Sequence, residues 1–337
     1  MLNVIWFCLI GILFIGYAIL DGFDLGTGAW HLFVKKDEER RLLLNAIGPV
    51  WDGNEVWLIA GGGALFAAFP EAYATVFSGF YPAFMVLLAA LIFRAVSIEF
   101  RSRQPGRWWR QLWDVGFSLS SVIAAVLLGV ALGNLTRGIP LGPDHEFAGA
   151  FWGLLNPYAL LIGLTTLALF SMHGGIYLLV KTEGDVHDRL WGWIMWSVLF
   201  FVACYVVATG ATLAVNPRMM FPMRENPVLL GVVLLPLIAI VNIVRELRLR
   251  QAGRAFASSS IAVASLLMLF GSSVFPNLVI SNPQSENSLT IVNAASSQRT
   301  LSFMLVIAGI GLPMVLAYTA IVHWVFRGKV RLGPASY

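Results

Sequence analysis

The sequence predicts an all-α, polytopic membrane protein with nine transmembrane helices, its N-terminus outside and its C-terminus in the cytoplasm. Three observations carry that reading: a composition too apolar for water, nine apolar stretches of spanning length, and basic residues confined to alternate connections. The 337 residues are 58% hydrophobic and 12% charged, with a mean hydropathy of +0.78. An ordinary globular chain is about 25% charged, so too little polar surface remains to cover a soluble fold of this length. Disordered, collagen-like and disulfide-scaffold classes are excluded by the same composition. The two cysteines, Cys8 and Cys204, lie inside apolar stretches. There they read as small hydrophobes, not as a bridge or a metal site.

A spanning helix needs roughly 20 mainly apolar residues. Candidates cover about 3–22, 51–74, 78–100, 112–135, 152–180, 190–215, 228–246, 257–277 and 301–326. The first lacks the basic start and small-residue cleavage site of a signal peptide, so it is expected to be retained. An odd number of spans places the termini on opposite sides, and short cytoplasmic loops carry the excess of Lys and Arg. The first connection holds Lys35, Lys36, Arg40 and Arg41, and the third Arg101, Arg103, Arg107 and Arg110. Lys181 and Arg189 mark the fifth, Arg245, Arg248, Arg250 and Arg254 the seventh, and Arg327, Lys329 and Arg331 the tail. The opposite side has only Arg137, Arg218, Arg224 and Arg299, and Arg94 lies within a span. The net charge of +4 is therefore topological, and no basic strip is left for nucleic acid.

Most connections are short, so one integral membrane domain is expected over 1–337. Residues 1–150 and 151–280 would each hold four spans, and 281–337 the last outer loop, the ninth helix and the tail. Aromatic and basic residues at span ends, as in WGWIMW (191–196) and RWWR (107–110), fit an interfacial belt.

Ionisable residues within spans cost roughly 2.5–3.5 kcal/mol each on insertion scales, so each calls for a partner, a cavity or a pathway. Asp21 and Asp24 are expected to end the first span in YAILDGFDLGTG, Asp52 and Glu55 open the second in GPVWDGNEVW, and Arg94 and Glu99 close the third in FRAVSIEF. All six are expected to face the cytoplasmic leaflet. Arg94 lies about 9 Å inside its helix end at 1.5 Å per residue, too deep to reach water easily. Glu99 is five residues on, about 140° around the helix, so the counter-charge is expected from Asp52 or Glu55 next door. One reading is a static ion-pair network pinning three helices. The other, compatible with it, is a proton-uptake vestibule in which crowded carboxylates exchange protons near neutral pH. The run Ala60-Gly61-Gly62-Gly63-Ala64 is expected to allow close helix approach.

Histidine is the residue a membrane redox protein would use to hold haem. His31, His145 and His187 are expected in loops, leaving His173 in FSMHGG and His323 in IVHW. Both fall toward the cytoplasmic ends of their spans, but a histidine hydrogen-bonded within a bundle is far commoner than a ligand. No C-x-x-C-H, Walker loop or H-E-x-x-H motif occurs.

The segments YAILDGFDLGTG (17–28), GPVWDGNEVWLIAGGGALFAAFPEAY (48–73), SGFY (78–81) and FRAVSIEFRSR (93–103) strongly resemble subunit II of cytochrome bd-type quinol oxidases. The resemblance is densest over about residues 10–105 and continues through NPYALLIGLT (156–165) and MHGG (172–175). The length and short connections resemble the cyanide-insensitive branch. It implies a heterodimer, often joined by small single-span accessory subunits, that oxidises quinol and reduces dioxygen to water in the bacterial inner membrane. Two b-type haems and haem d would then sit in subunit I, this chain would bind none firmly, and a structural quinone would be a further possible guest beside membrane lipid.

The family fold it implies is two four-helix bundles plus a ninth, peripheral helix. The connection about 216–227 is far too short for the external quinol-binding loop of subunit I. The resemblance also implies a proton route through Asp52, with Trp51, Asp21, Asp24, Glu55 and Arg94 around it. Glu99 stands where the enterobacterial type has Asp, so the acid is kept with a longer reach. Two rival readings remain: a purely structural assembly subunit, and a proton-coupled secondary transporter, which would be expected to break its helices at the midplane.

Overall fold

The computed structural model describes residues 1–217 and 227–333. Arg218 and Arg224, two of the four basic residues expected on the outer side, lie outside the described residues. Eleven helices are described: α1 (Leu2–His31), α2 (Asp37–Ile47), α3 (Trp51–Ala68), α4 (Pro70–Gly79), α5 (Tyr81–Phe100), α6 (Arg107–Arg137), α7 (Pro157–Lys181), α8 (Asp185–Val215), α9 (Pro227–Arg248), α10 (Ala252–Val274) and α11 (Gln298–Val325). Seven of the described helical segments are long and apolar enough to cross a membrane: α1, Tyr81–Arg103, α6, α7, α8, α10 and α11. The two other stretches expected to span are helical as well, and each carries charged residues at one end. Asp52, Asn54 and Glu55 crowd the start of α3, and Arg245, Glu246 and Arg248 the end of α9.

Three boundaries differ from expectation. The second stretch, expected to run unbroken over 51–74, stops at Ala68 and restarts at Pro70, because proline has no N–H to continue the ladder. The 18 residues of α3 rise about 27 Å, and the carbonyls freed at its end are taken up by Ser296. Its N–H donates to the Ala68 carbonyl at 2.9 Å and its hydroxyl to the Ala67 carbonyl at 2.7 Å. Second, α1 does not end at Asp21 and Asp24 but continues to His31, so the first connection is much shorter than the expected 23–50. It holds the amphipathic α2, whose Asp37, Glu38 and Glu39 complement the helix dipole. Third, the all-α expectation needs a small addition: β1 (Asn277–Val279) pairs antiparallel with β2 (Leu289–Thr290). That hairpin is bridged to the 138–149 loop through Ile139 and Ser281.

The packing centres on two helices. α1 lies against α3, α6, α7 and α10, while α7 lies against α1, α6, α8 and α10. They cross at Gly26 and Gly174. A Cβ on Gly26 would stand 1.9 Å from the Phe170 carbonyl oxygen, and one on Gly174 would stand 2.6 Å from the Gly26 carbonyl carbon. Only glycine permits that approach, and this explains Gly26 of DGFDLGTG and Gly174 of MHGG. Of the 61–63 glycines expected to pack, a Cβ on Gly61 would stand 3.0 Å from Phe14, whereas one on Gly62 or Gly63 would meet nothing within 4 Å in this chain.

The basic connections gather at one end of the bundle. Arg110 donates to Asp37, Arg189 pairs with Glu39, and Arg250 stacks over Trp191. Lys329 donates to the Leu179 and Thr182 carbonyls, tying the C-terminal tail to the end of α7. α11 buries little of its own surface: Phe303, Ile307, Ile310, Met314 and Trp324 all stand exposed. It is held at its ends, by the Trp6 indole donating to the Leu301 carbonyl and by this tail.

Candidate functional site

Arg94 is wholly buried in α5. Its Nη2 donates to Asp21 Oδ1 and to Glu55 Oε1, both at 2.5 Å. One guanidinium thereby joins α1, α3 and α5. The expected partner on the neighbouring helix is Glu55 and not Asp52, and Asp21 is a second partner that hydropathy did not reveal. Asp21 and Asp24, three residues apart, share a face of α1 and are both fully buried. Asp24 Oδ2 accepts from Asn54 Nδ2 at 2.8 Å, and the same nitrogen reaches the Leu20 carbonyl at 3.3 Å.

α3 positions Asn54 through its buried stripe Trp51, Asn54, Trp57 and Gly61, whose spacing puts them on the side facing α1. Asp52 points away from that stripe and is exposed. Glu99 is half-exposed and lies 3.9 Å from Arg103, one turn along, outside the Arg94 group. Of the seven residues singled out from sequence, the structure brings together Arg94, Asp21 and Glu55 by direct bonds, with Asp24 one turn from Asp21 on α1 and held by Asn54. Trp51 packs in the adjoining core, and Asp52 and Glu99 stand apart. Asn54 was missed, although its place between Trp51 and Trp57 on one helical face is the signal that marks it.

The surroundings are polar beyond these bonds. Tyr17 Oη, Asp21 Oδ2, Asp24 Oδ1, Thr27 Oγ1, Trp57 Nε1 and Arg94 Nε and Nη1 are buried without a partner. Each such group costs about 1–3 kcal/mol if left unsatisfied in dry protein, so the site is strongly polar at its centre. Two carboxylates, Asp21 and Glu55, bond the single guanidinium, and a third, Asp24, lies one turn along α1.

A second ionic group escaped the sequence reading. Asp114 of α6, almost fully buried, accepts from His31 Nε2 at 2.6 Å, Arg101 Nε at 2.5 Å and Arg40 Nη1 at 2.9 Å. Arg101 also donates to Asp37 at 2.7 Å. His31, expected in a loop, is the buried last residue of α1, and His187, also expected in a loop, lies in the first turn of α8.

Of the two histidines expected within spans, His173 is engaged inside the bundle. His173 Nδ1 meets Ser259 Oγ at 2.7 Å, Nε2 meets the Ile19 carbonyl at 3.0 Å, and the ring stacks on Phe256. Both nitrogens are occupied. Phe23 lies against both His173 and His323, with ring centroids 6.2 and 6.3 Å away. Among the described residues no group of three His, Cys, Asp or Glu could hold a metal ion.

Apolar spanning helices around buried ion pairs define an integral membrane protein with charged groups at work between its helices. The chain belongs to the cytochrome bd terminal oxidase subunit II family, whose model matches residues 2–326. It is 37% identical to the cytochrome bd-I ubiquinol oxidase subunit 2 of Escherichia coli K12, over 98% of this chain and 95% of that one. It is 34% identical to the cytochrome bd ubiquinol oxidase subunit 2 of Bacillus subtilis 168, over 98% and 97%. The fold matches a chain of the bd oxidase from Geobacillus thermodenitrificans with a TM-score of 0.81 and 17% identity, over 96% of this chain and 98% of that one.

Proposed function

We propose that this chain is the haem-free scaffold and proton-delivery subunit of a bd-type oxidase that oxidises quinol and reduces dioxygen to water. Family membership makes it a subunit of a respiratory quinol oxidase with a subunit I partner. The finer reading rests on one observation: Arg94, Asp21, Asp24 and Glu55 form a buried ionic group with more acids than bases and with several polar atoms unpartnered. Such a group can hold and release protons in low-dielectric surroundings, and dioxygen reduction consumes them. Asp52, exposed at the first turn of α3, serves as the surface acid at the mouth, and Asp24 and Asp21 as the inner store. Glu99, paired with Arg103 one turn along, is a further acid at the end of α5. The haems belong to subunit I in this reading.

It carries the topology with it: nine spans in two four-helix bundles plus peripheral α11, the N-terminus outside, and the basic end in the cytoplasm of a bacterium's inner membrane. Small accessory subunits would cover part of the remaining apolar surface.

A structural reading also has an observation in its favour, because Arg94 pins three helices at once. Oxygen consumption per haem d and charge translocation in assembled Asp24→Asn and Asp52→Asn oxidases separate the two. A fall of tenfold or more in Asp24→Asn, with normal assembly, is expected. Parent-like rates in both variants would reject proton delivery and leave only the architectural role.

A further inference from the structure

Between the start of α3 and the end of α11 lies a small cavity lined by Val50, Gly53, Asn54, Tyr318, Val322 and His323. Its volume, about 10 Å³, is at the lower limit for lodging one water molecule. Asn54 is the residue that donates to Asp24, so the cavity and the inner acid share one lining residue.

His323 gives the cavity its chemistry. Its Nδ1 lies 2.9 Å from the Thr319 carbonyl. A carbonyl only accepts, so Nδ1 carries the hydrogen and, in the neutral ring, Nε2 is left with a bare lone pair. Nε2 is buried and has no partner. The ring is fixed edge-on against Phe23, the residue preceding Asp24 on α1. The charged group acting on the ring from a packed element is Lys181, at the end of α7, and Arg327 follows one turn along the same chain segment.

We propose that His323 is a proton-relay residue, taking protons from the cytoplasmic surface and passing them through the α3–α11 cavity toward Asp24. Nε2 accepts a proton from the surface side to give the imidazolium, then releases one to water in the cavity and returns to neutral. The Nδ1–H bond to Thr319 is kept throughout, so one nitrogen does both. Asn54 carries no proton itself; it holds the Asp24 carboxylate at the inner end. The inference rests on the proton-delivery reading and deepens it by naming the inlet.

The test uses the assembled oxidase with His323→Ala, His323→Gln and Asp24→Asn. Proton uptake is followed with a pH-sensitive dye after a single pulse of oxygen and is expressed per haem d. Both His323 variants are expected to slow uptake at least tenfold, and added imidazole should restore rate to His323→Ala but not to Asp24→Asn. Should His323→Ala fail to assemble, His323→Gln carries the comparison, because glutamine fills the space without exchanging a proton at neutral pH. Parent-like uptake in His323→Gln, or loss in His323→Ala that imidazole leaves unchanged, overturns the relay. If Asp24→Asn is slow while His323→Gln is not, only the inlet is wrong; if neither is slow, proton delivery falls as well.

Discussion

Replacing Arg94 by Gln tests whether the ionic group is held by its charge. Arg94 and Asp21 are both fully buried and 2.5 Å apart, and the same nitrogen serves Glu55, which is about one-fifth exposed. Removing one partner of a buried pair costs about 3–5 kcal/mol, chiefly because the other charge is stranded. Here Asp21 is stranded fully and Glu55 in part, so the upper half of that range applies to Arg94→Gln. The double variant Arg94→Gln/Asp21→Asn removes the stranded charge and should regain about 2 kcal/mol or more, giving a coupling well outside the error of a double-mutant cycle. Thermal inactivation of the detergent-solubilised complex, scored by loss of the haem d spectrum, measures both against the parent. A double variant no more stable than Arg94→Gln would show that burial of the ion pair is not what holds these helices, and the assignment of Asp21 as counter-charge would fail.

Two further outcomes follow from packing and from the second ionic group. Gly26→Ala forces a Cβ to within 1.9 Å of a backbone oxygen, so α1 and α7 must part at a cost of about 1–3 kcal/mol; Gly62→Ala, with open space around it, should stay within about 0.5 kcal/mol of the parent. Melting temperatures of the two complexes compare them, and equal values would refute the crossing. Asp114→Asn leaves His31, Arg40 and Arg101 around a neutral amide and should destabilise by about 3 kcal/mol, whereas Asp37→Asn, half-exposed, should cost less than about 1 kcal/mol; equal losses on urea titration would show that burial does not set the difference.

Much of this arrangement is legible in the amino-acid order, and where it is not the reason is physical. The depth of Arg94 follows from its distance to the end of an apolar run, and Glu55 follows as the neighbouring acid. Asp21 could not be paired with it, because hydropathy falls at DGFD and so appears to close the helix. The helix in fact continues, because each polar residue there meets a buried partner on another element, which local sequence does not disclose. His31 and Asp114 are hidden for the same reason, being 83 residues apart. The three-glycine run, conversely, advertises packing that only Gly61 makes within this chain.

The glycine crossing and the ionic group lie on the same stretch of α1, and that coincidence limits how protons can move. α1 is locked to α7 by backbone contact at Gly26 and Gly174, and to α3 and α5 through Asp21, Glu55 and Arg94. Tilting α1 to open a path would break the ion pairs and lose the crossing together, several kcal/mol in each turnover. Proton delivery as proposed would therefore have to proceed without helix motion, through water, the free oxygens Asp21 Oδ2 and Asp24 Oδ1, and proton exchange at Nε2 of His323 on α11. In the proposed route the acids thus sit on a rigid pillar, and the histidine sits on α11, the helix that buries least of its own surface.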